Sequence, residues 1–178
     1  MVSFTKAVNF GIIYGQTAFG LAGSLGIGRT EAKEIIDNYF IQYPGIKQYM
    51  DDTINFARET GYVQTLMGRK RYLADINSAN QTVRGFAERN AINSPIQGTA
   101  ADMIKLAMIK VKKALDTSGL QSKMILQVHD ELVFDVPEKE VDELKKLVVE
   151  GMESAMPLPG DVPVMAEAGV GENWLAAH

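Results

Sequence analysis

Three short stretches of this chain bring together side chains that could do chemistry. Gln127-Val128-His129-Asp130-Glu131-Leu132 sets a histidine and two adjacent carboxylates between apolar residues. Only His129 and Asp130 separate two strand-like runs, the length of a two-residue hairpin loop. Asn-Gly or Asp-Gly is the ordinary choice there, because such turns demand positive φ and both residues here carry a Cβ. Strain beside clustered acids suggests a site for a hard divalent cation; the plainer reading is a solvated polar turn. A single acidic pair does not cage a magnesium ion. The remaining ligands must come from substrate phosphates or from another segment.

Lys6, Phe10 and Tyr14 stand four residues apart, along one side of a helix. A cation followed by two aromatics suits a phosphate and a stacked base. It equally describes an amphipathic core helix with a snorkelling lysine. Gly11 and Gly15 weaken that helix by roughly 1 kcal/mol each relative to Ala, and make most sense where something approaches the backbone closely. Arg89, Asn93 and Gln97 repeat the spacing. Guanidinium and amide groups hydrogen-bond nucleic acid; helix capping around Pro95 is the alternative. Arg69-Lys70-Arg71 in a turn offers phosphate contacts or merely a solvated surface. Gly23-Ser24-Leu25-Gly26-Ile27-Gly28-Arg29 is neither a phosphate loop nor a dinucleotide fingerprint.

The elements that must position these groups follow from apolar spacing and punctuation. Residues 5–14 read as a helix ended by Gly15, and residues 16–28 as a glycine-punctuated loop or short helical pieces. Thr30 is the expected N-cap of a helix carrying Ile35, Ile36, Tyr39 and Phe40. Pro44 opens the next, over about residues 45–59. A short hairpin surrounds Met67-Gly68-Arg69-Lys70. Two helices are then expected, 79–93 stopping near Pro95 and 96–115 beyond it. Strands 124–128 and 131–136 flank the acidic tip, a charged helix covers 138–156, and 162–170 reads as a last strand. The class is α+β: a mostly helical region with a small antiparallel sheet, made of the hairpin and the C-terminal strand. Residues 1–75 form the expected helical division with its small hairpin, and 76–178 the division holding the acidic hairpin.

Composition excludes several classes. The chain has 178 residues, 46 % of them apolar, so it can build a core, and 22 % charged residues argue against disorder. It contains no cysteine, which removes disulfides, zinc fingers and thiol catalysis. No apolar run approaches the ~20 residues of a membrane span, so no membrane role and a cytoplasmic place are expected. A net charge of −4 argues against binding nucleic acid by bulk basicity. Charge is unevenly spread, however. Twelve Lys/Arg face nine Asp/Glu up to Lys110, and six face thirteen after it. An anionic ligand at the front and a metal at the rear would suit that balance; so would a solvated acidic helix.

Together, Lys6-Ala7-Val8-Asn9-Phe10-Gly11-Ile12-Ile13-Tyr14-Gly15, Asn93-Ser94-Pro95-Ile96-Gln97-Gly98-Thr99-Ala100-Ala101-Asp102 and Gln127-Val128-His129-Asp130-Glu131-Leu132-Val133-Phe134 resemble the polymerase domain of A-family DNA polymerases, the DNA polymerase I family. The three motifs stand in order, the ending Gly171-Glu172-Asn173-Trp174 fits too, and the likeness covers almost the whole chain from Thr5. It implies fingers and a partial palm of an incomplete polymerase domain, acting on primer–template DNA and deoxynucleoside triphosphates with two Mg2+ ions. By resemblance, Lys6 holds the triphosphate, Phe10 meets the sugar and base, and Tyr14 stacks at the templating position. Asp130 coordinates metal, with Glu131 in a lesser role; His129 touches the primer terminus, and Arg89, Asn93 and Gln97 contact the duplex. Bacterial replication or repair near the nucleoid is the implied setting.

Two departures accompany the likeness. Val2 and Ser3 stand where the family has arginines, and the upstream palm stretch with its second metal-binding aspartate occurs nowhere in the chain. The chain therefore reads as a truncated piece lacking thumb and upstream palm, inactive alone. A catalytically silent DNA-binding or interaction module of the same descent is the rival reading, and a metal-dependent nuclease using His129, Asp130 and Glu131 is a third.

Overall fold

A computed structural model describes residues 4–177, so Val2 and Ser3 lie outside the described residues. The order is α1 (Phe4–Ile13), α2 (Ala18–Leu25), α3 (Arg29–Gln42), α4 (Pro44–Thr60), β1 (Tyr62–Gln64), β2 (Lys70–Tyr72), α5 (Gln81–Ser118), β3 (Lys123–Val128), β4 (Glu131–Asp135), α6 (Val141–Glu153) and α7 (Trp174–Ala177). Two compact units result, the first ending at Gly98 and the second starting at Thr99. That boundary falls inside α5, whereas the expected functional division at residue 75 lies in the loop before it. The fold is mostly helical with two two-stranded antiparallel sheets, the expected α+β class.

In the first unit, Ile12, Leu21, Ala22 and Ala32 are buried, with Val8, Leu25, Ile35 and Tyr39 packed around them. This joins α1, α2 and α3. The segment expected as a loop or helical pieces is the well-formed α2: the Thr17 side chain accepts from the Gly20 N–H, and Gly26, at φ 68°, closes the far end. Thr30 does not cap α3. The helix begins at Arg29, two residues before an N-cap at Thr30 would start it, after Gly28, whose carbonyl accepts from the Ala32 N–H. A second cluster of Ala57, Val63, Leu73, Ile76, Ala87 and Ala91 packs α4 and the β1–β2 hairpin against the start of α5.

Pro95 does not end a helix; α5 runs through it for 38 residues. Proline removes one backbone donor and crowds the carbonyl four residues back, which ordinarily kinks or breaks a helix. Neighbouring carbonyls here take side-chain donors instead. The Ser94 hydroxyl donates to Asn90 O, and the Tyr49 hydroxyl donates to Ile92 O at 2.9 Å. These bonds take the carbonyls on either side of Ala91 O, the one that loses its helix donor to Pro95, and α5 continues through.

In the second unit, Val111 and Leu115 of α5 meet Leu144 and Val148 of α6, with Met124 and Phe134 of the hairpin packed alongside. Strands β3 and β4 pair from Val128↔Glu131 out to Lys123↔Asp135, with an irregularity between Met124 and Leu126. The charged helix opens as a 3₁₀ turn at Glu138–Glu140 before α6. The expected strand over 162–170 is absent. Its alternating apolar residues find no strand to pair with among the described residues, and Val162, Met165 and Val170 are exposed.

Glu140, buried, ties the loop before β3 to α6. Its Oε2 accepts from the Ser122 hydroxyl at 2.7 Å and from the N–H groups of Gln121 and Ser122 at 2.9 and 3.0 Å. The Ser122 hydrogen bond, helped by the two backbone donors and opposed by burial, holds this carboxyl below its ordinary value. A lowered folded-state value stabilises the fold above the unfolded carboxyl's range, and that contribution fades as pH falls through the folded value. Glu140→Gln should therefore lower the thermal midpoint at pH 7. Melts followed by circular dichroism should show the two proteins converging as pH falls below about 4.

Candidate functional site

In the first unit, the helix spacing of Lys6, Phe10 and Tyr14 is realised on α1 and the turn after it. The Phe10 and Tyr14 rings stack with centroids 5.8 Å apart and planes 29° from parallel. Lys6 Nζ lies 5.8 Å from the Phe10 ring centroid. Both rings are partly exposed rather than committed to the core. They face a cleft of about 570 Å³ that also takes in Gly11, Gly15, Gln16, Ser24 and Arg89. A cleft of that volume is the size that small-molecule ligands occupy.

Two glycines shape it. Gly15 turns the chain at φ 74°, and a Cβ there would lie 3.1 Å from Arg89 Cγ. A Cβ on Gly11 would collide with the end of the Gln16 side chain, whose Nε2 donates to Ser24 Oγ at 2.8 Å. Gln16 drew no attention in the sequence. Its signal is Gly11, which makes room for it. Arg89 is grouped by spacing with Asn93 and Gln97, yet it stands at the aromatic cleft, its guanidinium 5.9 Å from the Phe86 ring centroid. Gln97 is exposed further along α5. Asn93 is half-buried, and its Oδ1 is shielded from solvent with no donor on it among the described residues.

The basic triplet is exposed and also makes contacts within the first unit. Arg69 donates to the Gly98 carbonyl at 2.9 Å, and Lys70 Nζ sits 4.2 Å from the Tyr62 ring centroid.

In the second unit, the acidic tip is the two-residue turn that the sequence implies. His129 has φ 54°, while Asp130 is not at positive φ. Gln127 supports the turn by donating from Nε2 to the His129 carbonyl. His129 and Asp130 are exposed, and Glu131 is half-buried. Trp174 Nε1 donates to Glu131 Oε2 at 3.2 Å, a link across 43 residues. No group of three or more His, Asp or Glu side chains gathers here or elsewhere among the described residues. Carboxylate oxygens are the right donors for a hard divalent cation. In type they fit; in number they supply only part of a shell.

The first unit thus carries a cleft lined by Phe10, Tyr14 and Arg89, and the second unit an exposed turn of His129 and Asp130 followed by Glu131. Comparison with known proteins identifies the family. The description of DNA polymerase family A matches residues 2–176, and the chain belongs to that family. It is 56 % identical over 172 residues to DNA polymerase I of Streptococcus pneumoniae, covering 97 % of this chain and 19 % of that protein. DNA polymerase I of Caldicellulosiruptor bescii is 53 % identical over 174 residues, 98 % of this chain and 20 % of its own length. Among solved structures, the POL domain of Pol1 from M. smegmatis, in complex with DNA primer-template and dNTP, superposes with a TM-score of 0.93 at 48 % identity. That match covers 98 % of this chain and 30 % of the other. The chain thus spans about a fifth of the length of the curated relatives it matches. Among the described residues, no helix is long and apolar enough to cross a membrane.

Proposed function

We propose that this chain supplies the nucleotide-gripping and metal-holding parts of a template-directed DNA polymerase. The reaction joins a primer 3′-hydroxyl to the α-phosphorus of a deoxynucleoside triphosphate and releases pyrophosphate. The single observation that carries this reading is the cleft lined by Phe10, Tyr14 and Arg89, with Lys6 Nζ 5.8 Å from the Phe10 ring centroid, in a chain that matches DNA polymerase family A over nearly its whole length. The helical region up to residue 75 serves as fingers and the remainder as partial palm. Bacterial replication or repair, close to the nucleoid, is the proposed setting.

Beside Phe10, Lys6 holds the triphosphate, where a fixed cation offsets charge that develops on the phosphate oxygens. Phe10 lies against the sugar and base, and Tyr14 stacks at the templating position. Arg89, Asn93 and Gln97 contact the duplex, and His129 touches the primer terminus. Asp130, with Glu131 in a lesser part, would hold Mg2+. When bound, the metal neutralises phosphate charge and favours the attacking alkoxide. The ion would need further ligands from phosphates or another acidic segment.

The test replaces the matching segment of a DNA polymerase I domain with residues 4–177 of this chain. Template-directed extension of a labelled primer is expected from the hybrid. The purified 178-residue polypeptide by itself should extend no primer, because its described residues gather no third acidic ligand. Strand cleavage without template dependence would instead support a nuclease. Extension by the isolated polypeptide would require a site built from fewer carboxylates than two-metal transfer uses.

A further inference from the structure

We propose that Gln16 is a positioning residue of the aromatic cleft: its side-chain amide pins α1 to α2 and so holds Phe10 and Tyr14 where a nucleobase stacks. The inference rests on the reading of that cleft as a nucleotide site, a reading that gives Gln16 no part.

The first observation is how the amide is held. Ser24 Oγ donates its one proton to the Gly20 carbonyl at 3.0 Å, so toward Gln16 it can only accept. Gln16 Nε2 donates to it at 2.8 Å, which turns Oε1 the other way, onto Gly11 of α1. The Gln16 backbone N–H also donates to the Gly11 carbonyl, at 2.8 Å. One residue thus grips α1 through Gly11 and α2 through Ser24.

The second observation is the room made for it. A methyl group on Gly11 would collide with Oε1, and one on Gly20 would lie 2.9 Å from Cγ and 3.2 Å from Nε2. Each helix gives up a Cβ to the same side chain, although glycine lowers helix tendency relative to alanine. Location is the third observation. Ile12, Leu21 and Ala22 already join α1 and α2 through the apolar core. Gln16 and Ser24 instead line the cleft with Phe10 and Tyr14. A polar pin on that side adds little burial; what it fixes is the placing of the rings against α2. A stacking surface held ready in this way spares the ligand the cost of ordering it.

The experiment titrates 2-aminopurine deoxynucleoside triphosphate into the 178-residue protein without metal. Quenching of the base's fluorescence on stacking gives the affinity, and circular-dichroism melts report the fold of each variant. Gln16→Met fills the slot without a hydrogen-bonding group and is expected to weaken binding about fivefold, the scale of one neutral hydrogen bond. Ser24→Ala and Gly20→Ala both raise the helix tendency of α2, so neither should lower the thermal midpoint. Each is nonetheless expected to weaken binding in the same direction, which a merely structural role would not do. Combined with Gln16→Met, Ser24→Ala should add nothing beyond twofold, because both remove one bond. Phe10→Leu tests the site itself and should remove the quenching. If it does, while Gln16→Met, Ser24→Ala and Gly20→Ala all bind within twofold of the unaltered protein, this inference is overturned and the site stands. A loss from Gln16→Met with Ser24→Ala unchanged overturns it as well, since Gln16 would then touch the nucleotide directly. An unaltered protein that quenches nothing, or quenching untouched by Phe10→Leu, overturns the site and the inference together.

Discussion

Asp130→Asn in the hybrid polymerase domain should abolish template-directed synthesis, with kcat falling on the order of 1000-fold, or about 4 kcal/mol of barrier. Asn is nearly isosteric, so the turn at Val128↔Glu131 should keep its register and the hairpin its packing. What changes is charge. A neutral amide oxygen is a much poorer ligand for a hard cation than a carboxylate, and the proposed site has few protein ligands to spare. Single-nucleotide incorporation under saturating dNTP isolates this effect from binding. Primer–template affinity should change little, because Asp130 is expected to repel rather than grip DNA phosphates. A kcat within tenfold of the unaltered hybrid would remove Asp130 from the metal site, whatever its family suggests.

Lys6→Ala has the next largest expected effect, a loss of roughly 100-fold in kcat/KM for nucleotide, from the magnitude attached to removing one donor to developing charge. Both constants should move. A cation on the triphosphate acts in the bound ground state and more strongly as charge shifts toward the leaving group, so KM rises and kcat falls. The structure adds a control: Lys6 also lies near the Phe10 ring, so truncation disturbs an aromatic that faces the same cleft. Lys6→Arg keeps the charge and the ring contact and should recover much of the loss. Weaker duplex binding with unchanged nucleotide kinetics would instead assign the first helix to DNA.

Much of this arrangement was legible in the residues, and the failures have identifiable causes. Fourfold spacing placed Lys6, Phe10 and Tyr14 on one helix side, and the cleft opens on that side. Helical spacing says which residues share a face, however, not which other element meets it. Arg89 accordingly looked like a companion of Asn93 and Gln97, and turned out to adjoin Gly15 and the stacked rings. At Pro95 the local stop rule fails, and α5 continues through with Ala87 and Ala91 packed into the core just before it. Alternation over residues 162–170 looked strand-like, but a strand is defined by its neighbour, and no pattern within the segment itself can announce one. The link from Trp174 to Glu131 was invisible for the same reason: its ends are 43 residues apart.

The left-handed backbone at His129 carries a consequence for anyone who evolves this protein for heat resistance. At φ 54° a glycine would relieve the crowding that a Cβ suffers there, a gain on the order of 1 kcal/mol for His129→Gly. A library screened only for survival at high temperature would be drawn toward that replacement, and would discard the imidazole beside Asp130 while the hairpin grew more robust. On the proposed role of His129 at the primer terminus, thermal selection and synthetic competence would pull this position in opposite directions, and only a screen that scores both would keep its side chain.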